Sequence, residues 1–194
     1  MTSPFHALDC KTSGEFFFTK RHDKIRDILV KTITSAHADN AARIEEAVGH
    51  PSGSAVTTAD IVVATLGSLS ERHALDVTIA NNPAAPTYLA LNSDTTQIDA
   101  TNKHRENSKI AHYRQHGVTI TPFAMEATGR PGGPSAEQLL STLDSQRRSS
   151  PTSRSTPRRR FMALAGILIQ RQNAALVAHH RRLMRSWRSR VTAT

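Results

Sequence analysis

At 194 residues the chain has room for one ordinary domain with extensions. Its hydrophobic content of 38% can build a core, and its single cysteine, Cys10, excludes an internal disulfide framework and suits a reducing, intracellular compartment. The net charge of +9 is lopsided: residues 1–128 carry 12 Lys/Arg against 14 Asp/Glu, whereas residues 129–194 carry 13 Arg, no Lys, and only Glu137 and Asp144. The basic character therefore belongs to the C-terminal third, where it can attract nucleic acid or another anionic surface, or simply form a solvated tail. No apolar stretch reaches bilayer-spanning length, and Met1 to Asp9 lacks the pattern of a secretion leader.

Along the chain, the apolar run Phe16-Phe17-Phe18 precedes a helix predicted from Arg21 to about Ala38, with Ile25, Ile28, Leu29 and Ile33 at helical spacing. A short segment, Ala42–Val48, carries Glu45 and Glu46, and Gly49 to Ser54 has the composition of a turn. Two strands are predicted at roughly 58–66 and 74–80, both rich in β-branched residues, the second ended by Asn81-Asn82-Pro83. Thr87 to Ile98 is ambiguous. A helix follows from an Asp99 N-cap to Gln115, with Gly117 as its C′ glycine. Val118 to Glu126 reads as a third strand, at a sheet edge because of Pro122. Ser135 with Gln138 suggests a capping box opening a helix to about Leu143. Residues 147–160 hold only Arg, Ser, Thr and Pro, the composition of a flexible basic linker. A last helix is expected over 161–190. The implied organisation is an α/β domain over 1–146, a linker over 147–160 and a basic C-terminal helix.

The chemistry concentrates on Asp60, in Thr58-Ala59-Asp60-Ile61-Val62-Val63, and Asp76, in Leu75-Asp76-Val77-Thr78-Ile79. Each is a lone carboxylate in a run that reads as a buried strand, and an ionised group there is costly unless compensated. The segment between them has the length and polarity of a hairpin loop, which would set the two acids side by side on one face of the sheet. One compensation is a shared divalent cation. The other reading keeps both at strand ends as turn or cap residues.

Taken in order, several pieces resemble one family. They are His6-Ala7-Leu8 with Cys10 and Gly14; Arg21-His22-Asp23 with Ile25-Arg26-Asp27; Glu45 with Val48-Gly49; Ala59-Asp60-Ile61; Leu75-Asp76-Val77-Thr78; Lys109 with Tyr113; and Pro122-Phe123, Glu126 and Thr128-Gly129 before a closing Arg-rich helix. The set resembles the restriction-like endonuclease domain at the C-terminus of non-LTR retrotransposon reverse transcriptases, over about residues 6–190. The resemblance implies a restriction-endonuclease-like mixed sheet flanked by helices. It implies a nuclear, metal-dependent endonuclease with Mg²⁺ or Mn²⁺ held by Asp60 and Asp76. Glu45 would be a further acid, and Lys109 would orient the water or steady charge on the phosphate. The partner would be DNA, with RNA as an alternative, and no membrane.

The sequence also departs from that pattern. Thr58-Ala59 stand where the family has Arg-Pro, and Thr78 stands where the Asp-x-Lys form has lysine. Only Cys10, His6 and His22 remain of a zinc-binding cluster, and no reverse transcriptase accompanies the domain. These departures imply a degenerate fragment. The competing expectation is a catalytically inactive protein that binds nucleic acid without sequence choice through Arg147, Arg148, Arg158, Arg159, Arg160, Arg181 and Arg182.

Overall fold

The computed structural model describes residues 11–36, 41–48, 57–64, 73–80, 100–127, 129, 132–146 and 155–191, with the side chains of 11–17, 80 and 187–191 left aside. His6, Cys10, Arg147, Arg148, the turn at 49–54, the stretch 87–98 and the Asp99 cap lie outside the described residues.

Helix α1 spans Lys11–Ala36. It starts ten residues before the expected Arg21, so Phe16-Phe17-Phe18 is part of it and not a separate element. Nothing in 11–20 forbids this, since the run contains no proline. Ile25, Leu29 and Ile33, four residues apart, are fully buried on one face. Three antiparallel strands follow, β1 (Ala42–Val48), β2 (Thr57–Val63) and β3 (His73–Ala80). Helix α2 (Ala100–Arg114) then crosses over to β4 (Ile120–Glu126), which pairs parallel to β3. The sheet order is β1-β2-β3-β4, so β4 is an edge strand, as Pro122 requires. Gly117, at φ 67, closes α2 as expected.

Alternation divides the strands between two cores. Leu75, Val77, Phe123 and Met125 face α1, α3 (Pro134–Gln146) and α4 (Pro157–Val191). Ala74 and Ile120 face α2 and pack around Tyr113. The molecule is thus a mixed α/β protein with helices on both faces of a four-stranded mixed sheet.

Three expectations about the C-terminal third need correction. The stretch 147–160 is not a linker throughout, because Pro157–Arg160 form the first turn of α4. Thr156 Oγ1 accepts from the Arg159 amide at 3.3 Å, an N-cap followed by proline at the first helical position. Nor is the last helix an appendage: Phe161, Ala165 and Ile169 are fully buried in the main core, and the Phe161 ring meets Phe123 edge-on at 5.2 Å. Finally, α4 over Pro157–Ser186 is long and apolar enough to cross a membrane by length and composition, contrary to the expectation that no stretch is. Its buried stripe is used against the sheet and α1.

The start of α3 also differs from the expected capping box. Its first amides, of Ser135 and Ala136, donate to the carboxylate of Glu106, each at 3.1 Å, so the cap comes from α2. Gly133 makes room for this: it sits at φ 98, and a Cβ there would lie 2.5 Å from the Glu106 carboxylate. Gly133→Ala should therefore lower stability by about 1–3 kcal/mol through backbone strain and displacement of the cap. A denaturant titration showing no loss would refute that account.

Candidate functional site

The ladder between β2 and β3 runs through Val63↔His73, Val62↔Ala74 and Ile61↔Leu75. One step further along the same register would set Asp60 across from Asp76. There the backbone pairing stops, because the Asp60 side chain takes the place of a ladder acceptor: its Oδ2 accepts the Val77 amide at 2.7 Å. The sequence expectation of two aspartates on adjacent strands of a hairpin finds its backbone setting in β2 and β3, but the expected common face is not formed: Asp60 turns to His22 on the α1 side, while Asp76 turns to Lys109 and Tyr113 on the α2 side.

Each carboxylate is met by a different helix. His22 of α1 reaches the Asp60 side with Nε2 3.0 Å from Asp60 Oδ2 and 3.0 Å from the Val77 carbonyl. Both are acceptors, so Nε2 carries a proton. Nδ1 lies 3.3 Å from Asp23 Oδ1, a further acceptor. The hydrogen bond to Asp60 is the main reason that the imidazole is pushed up to about 9, against the opposing effect of burial and with help from the Asp60 charge. For Asp60 burial alone would raise the carboxyl, but the His22 bond and charge, the Val77 amide and the charge of Lys109 together hold it below its ordinary value.

Asp76, 4% exposed, faces α2. Lys109 Nζ lies 2.8 Å from its Oδ1 and donates to Oδ2 at 3.1 Å. The Tyr113 hydroxyl, one helical turn on, lies 2.6 Å from Oδ2 and 2.9 Å from the Thr58 carbonyl of β2. Burial, then the bond to Asp76, push the phenol well above its usual range. Tyr113 is therefore more than core packing, because it ties β2, β3 and α2 together at the point where the ladder stops. Lys109 is within electrostatic reach of both aspartates.

The other expected residues are placed differently. Glu45 lies on β1 between the pairs Ile44↔Ile61 and Glu46↔Ala59, at the level of Asp60, but its exposed carboxylate is engaged by Arg26. Arg158 pairs with Glu137 at 2.6 Å, and Arg159 and Arg160 are exposed beside it. Arg181 and Arg182 are exposed about 34 Å further along the same helix, by the rise of 1.5 Å per residue, so the arginines form two clusters rather than one patch. His22, grouped in the sequence with His6 and Cys10, has both ring nitrogens turned to oxygen acceptors.

Among the described residues no group of three or more His, Cys, Asp or Glu is arranged to hold a metal ion. The donor set nevertheless suits a hard cation of the Mg²⁺ type, which needs only one or two carboxylates beside water and substrate phosphate. Among the described residues, Asp76 Oδ1 is buried beside the Lys109 ammonium at 2.8 Å without hydrogen-bond geometry to a partner, and the bonds to Asp60 described above all fall on Oδ2. No family model and no curated protein matches the chain.

His22 escapes sequence reasoning as a site residue because its partner is 38 positions away. The signal available is its place on the buried side of α1, one residue after the buried Arg21. Since the folded imidazole titrates near 9 and an ordinary one near 6.5, its pairing stabilises the fold fully below about pH 6.5. That contribution is lost as pH rises through 9. His22→Ala should cost about 1.5–3 kcal/mol at neutral pH, as for hydrogen bonds to charged groups, and clearly less at pH 10. Equal penalties at both pH values, in parallel denaturant titrations, would show that the charge on His22 plays no part.

Proposed function

We infer that the chain is a retroelement-derived, metal-dependent endonuclease domain that hydrolyses a DNA phosphodiester. The observation that carries the reading is the pair Asp60 and Asp76 on adjacent antiparallel strands where the ladder stops, with Lys109 on the second. The element order supports it too: a helix, three antiparallel strands, a crossover helix and a parallel fourth strand give a mixed sheet flanked by helices. Asp60 and Asp76 would hold Mg²⁺ or Mn²⁺, which when bound supplies polarisation of the phosphate and a water of lowered pKa.

The chain's own residues then have separable tasks. His22 and the Val77 amide fix Asp60 by one oxygen and leave the other open. Tyr113 fixes Asp76 by Oδ2, while Oδ1 lies 2.8 Å from the Lys109 ammonium. Lys109 places an ammonium beside both acids, where it can orient the attacking water or stabilise charge gathering on the phosphate. In the reaction, water oxygen forms a bond to phosphorus while a phosphorus–oxygen ester bond breaks. Glu45, held by Arg26 on the outside of β1, has no task in this scheme.

A second reading, an inactive scaffold that binds nucleic acid through arginine, is favoured by one observation. Both carboxylates already have resident positive partners, His22 and Lys109, so the fold does not need a cation to neutralise them. Nicking of supercoiled plasmid with Mg²⁺ or Mn²⁺ separates the two. Asp60→Asn and Asp76→Asn should each lose several kcal/mol of transition-state stabilisation, or about a hundredfold or more in rate. Equal nicking by the natural chain and both variants ends the nuclease assignment.

A further inference from the structure

We propose that the outer ridge of the C-terminal half of α4 is a docking surface for the sugar-phosphate backbone of duplex DNA, held beyond the end of the sheet to which the Asp60–Asp76 split opens. The placement follows from two hydrogen bonds of one residue. Asn173 Oδ1 accepts from Arg21 Nη1 at 2.8 Å, and Asn173 Nδ2 donates to the carbonyl of Ala127, just after β4, at 2.6 Å. Arg21 is the neighbour of His22, so α4 passes α1 at the level of the site at Asn173 and there leaves the carboxyl ends of β3 and β4. From Asn173 to Val191 it runs on for about 27 Å at 1.5 Å per residue.

Arg182 and Arg185 on this stretch, and Arg171 two residues before it, are exposed, and none has a carboxylate partner among the described residues. At 100° per residue they fall within a sector of about 60°, forming one ridge. From Ser145 to Thr194 the sequence contains no Asp or Glu, so nothing on α4 itself neutralises the ridge. The basic residues are all arginines, whose planar guanidinium matches phosphate oxygens bidentately.

A lipid surface is the weaker fit. A membrane-surface helix presents an apolar face of its own to the bilayer. Here Leu183, half exposed, stands seven residues after the buried Leu176, which itself stands seven after the core residue Ile169, so these leucines follow the line of the buried stripe. The ridge lies apart from it: between Arg171 and Arg185 its other exposed residues are the small Ala175 and Ala178, and the exposed Leu164 and Ile167 belong to the first half of the helix.

The test measures affinity for a short duplex by fluorescence anisotropy between about 50 and 200 mM NaCl, with EDTA present. Chelation keeps it independent of catalysis, so its failure and the failure of the nuclease reading are separate results. The variant Arg171→Ala/Arg182→Ala/Arg185→Ala should flatten the slope of log K against log salt by about 2–3, at roughly 0.9 per lost phosphate contact. Lysine at the same three positions should keep most of the slope. A control removing the same charge elsewhere, Lys31→Ala/Lys103→Ala/Arg114→Ala, should leave the slope near that of the natural chain. The proposal is overturned if the ridge variant binds duplex as the natural chain does, or if the control loses as much. It is equally overturned if the ridge variant loses only its binding to phosphatidylserine vesicles. Circular dichroism of each variant, whose substitutions are all on exposed side chains, confirms that the comparison is between folded proteins.

Discussion

A carboxylate taken into a β-sheet must be met by donors or by positive charge, and the cost of leaving it unmet runs to several kcal/mol. Here two such carboxylates enter the sheet at neighbouring positions, and a helix on each face supplies what they require. His22 brings α1 to Asp60 and the Val77 carbonyl, and Lys109 with Tyr113 brings α2 to Asp76 and the Thr58 carbonyl. These bonds are directional, so they set the height and rotation of both helices against the strands. Apolar burial alone would leave α1 free to slide by a turn, since Ile25, Leu29 and Ile33 repeat every four residues.

Helix α2 shows the constraint most plainly. Its sheetward residues Asn102, Glu106, Lys109 and Tyr113 follow helical spacing, yet three of the four are polar or charged. It is seated by what those groups bond to: Asp76 and Thr58 at one end, the first amides of α3 at the other. Glu106 therefore links the site to the placement of α3, with Gly133 leaving the space. The side-chain amide of Asn102 is buried on this face without a hydrogen-bond partner among the described residues. The same logic holds on the other face, where buried Arg21, lowered to about 10 by desolvation, is secured through Asn173.

Local pattern makes the strands of Asp60 and Asp76 readable, because the β-branched residues on either side of each acid pack best on a pleated, buried surface. The spacing of Lys109 and Tyr113 is readable too, since both lie on one helix. What the sequence hides is whatever depends on distant partners. His22 meets residues 38 and 55 positions away, and Glu106 caps a helix 29 and 30 positions on. The start of α4 is concealed differently: Thr156-Pro157 is a helix signal, but it sits in a stretch whose composition argues for no structure at all. Ala42–Val48 declares no type in sequence because an edge strand with mostly exposed side chains lacks the apolar alternation that marks strands.

Glu45 shows how one backbone irregularity can decide which helix serves which acid. Ala59 packs on the α2 side and Ile61 in the core beneath α1, although two residues along a regular strand should share a face. The pleat of β2 is therefore interrupted at Asp60. Across from it Glu45 adopts φ 53, a conformation that costs a non-glycine residue about 1–3 kcal/mol. Because both strands slip at the same level, the pairs on either side, Ile44↔Ile61 and Glu46↔Ala59, keep one register. Arg26, one turn from His22, grips the Glu45 carboxylate and holds the irregular turn of β1 in place. Without the slip, Asp60 would share its face with Val62 and turn towards α2, where Lys109 would have to serve two carboxylates. With it, Asp60 turns to His22 while Asp76 keeps Lys109, whose ammonium sits 2.8 Å from Asp76 Oδ1.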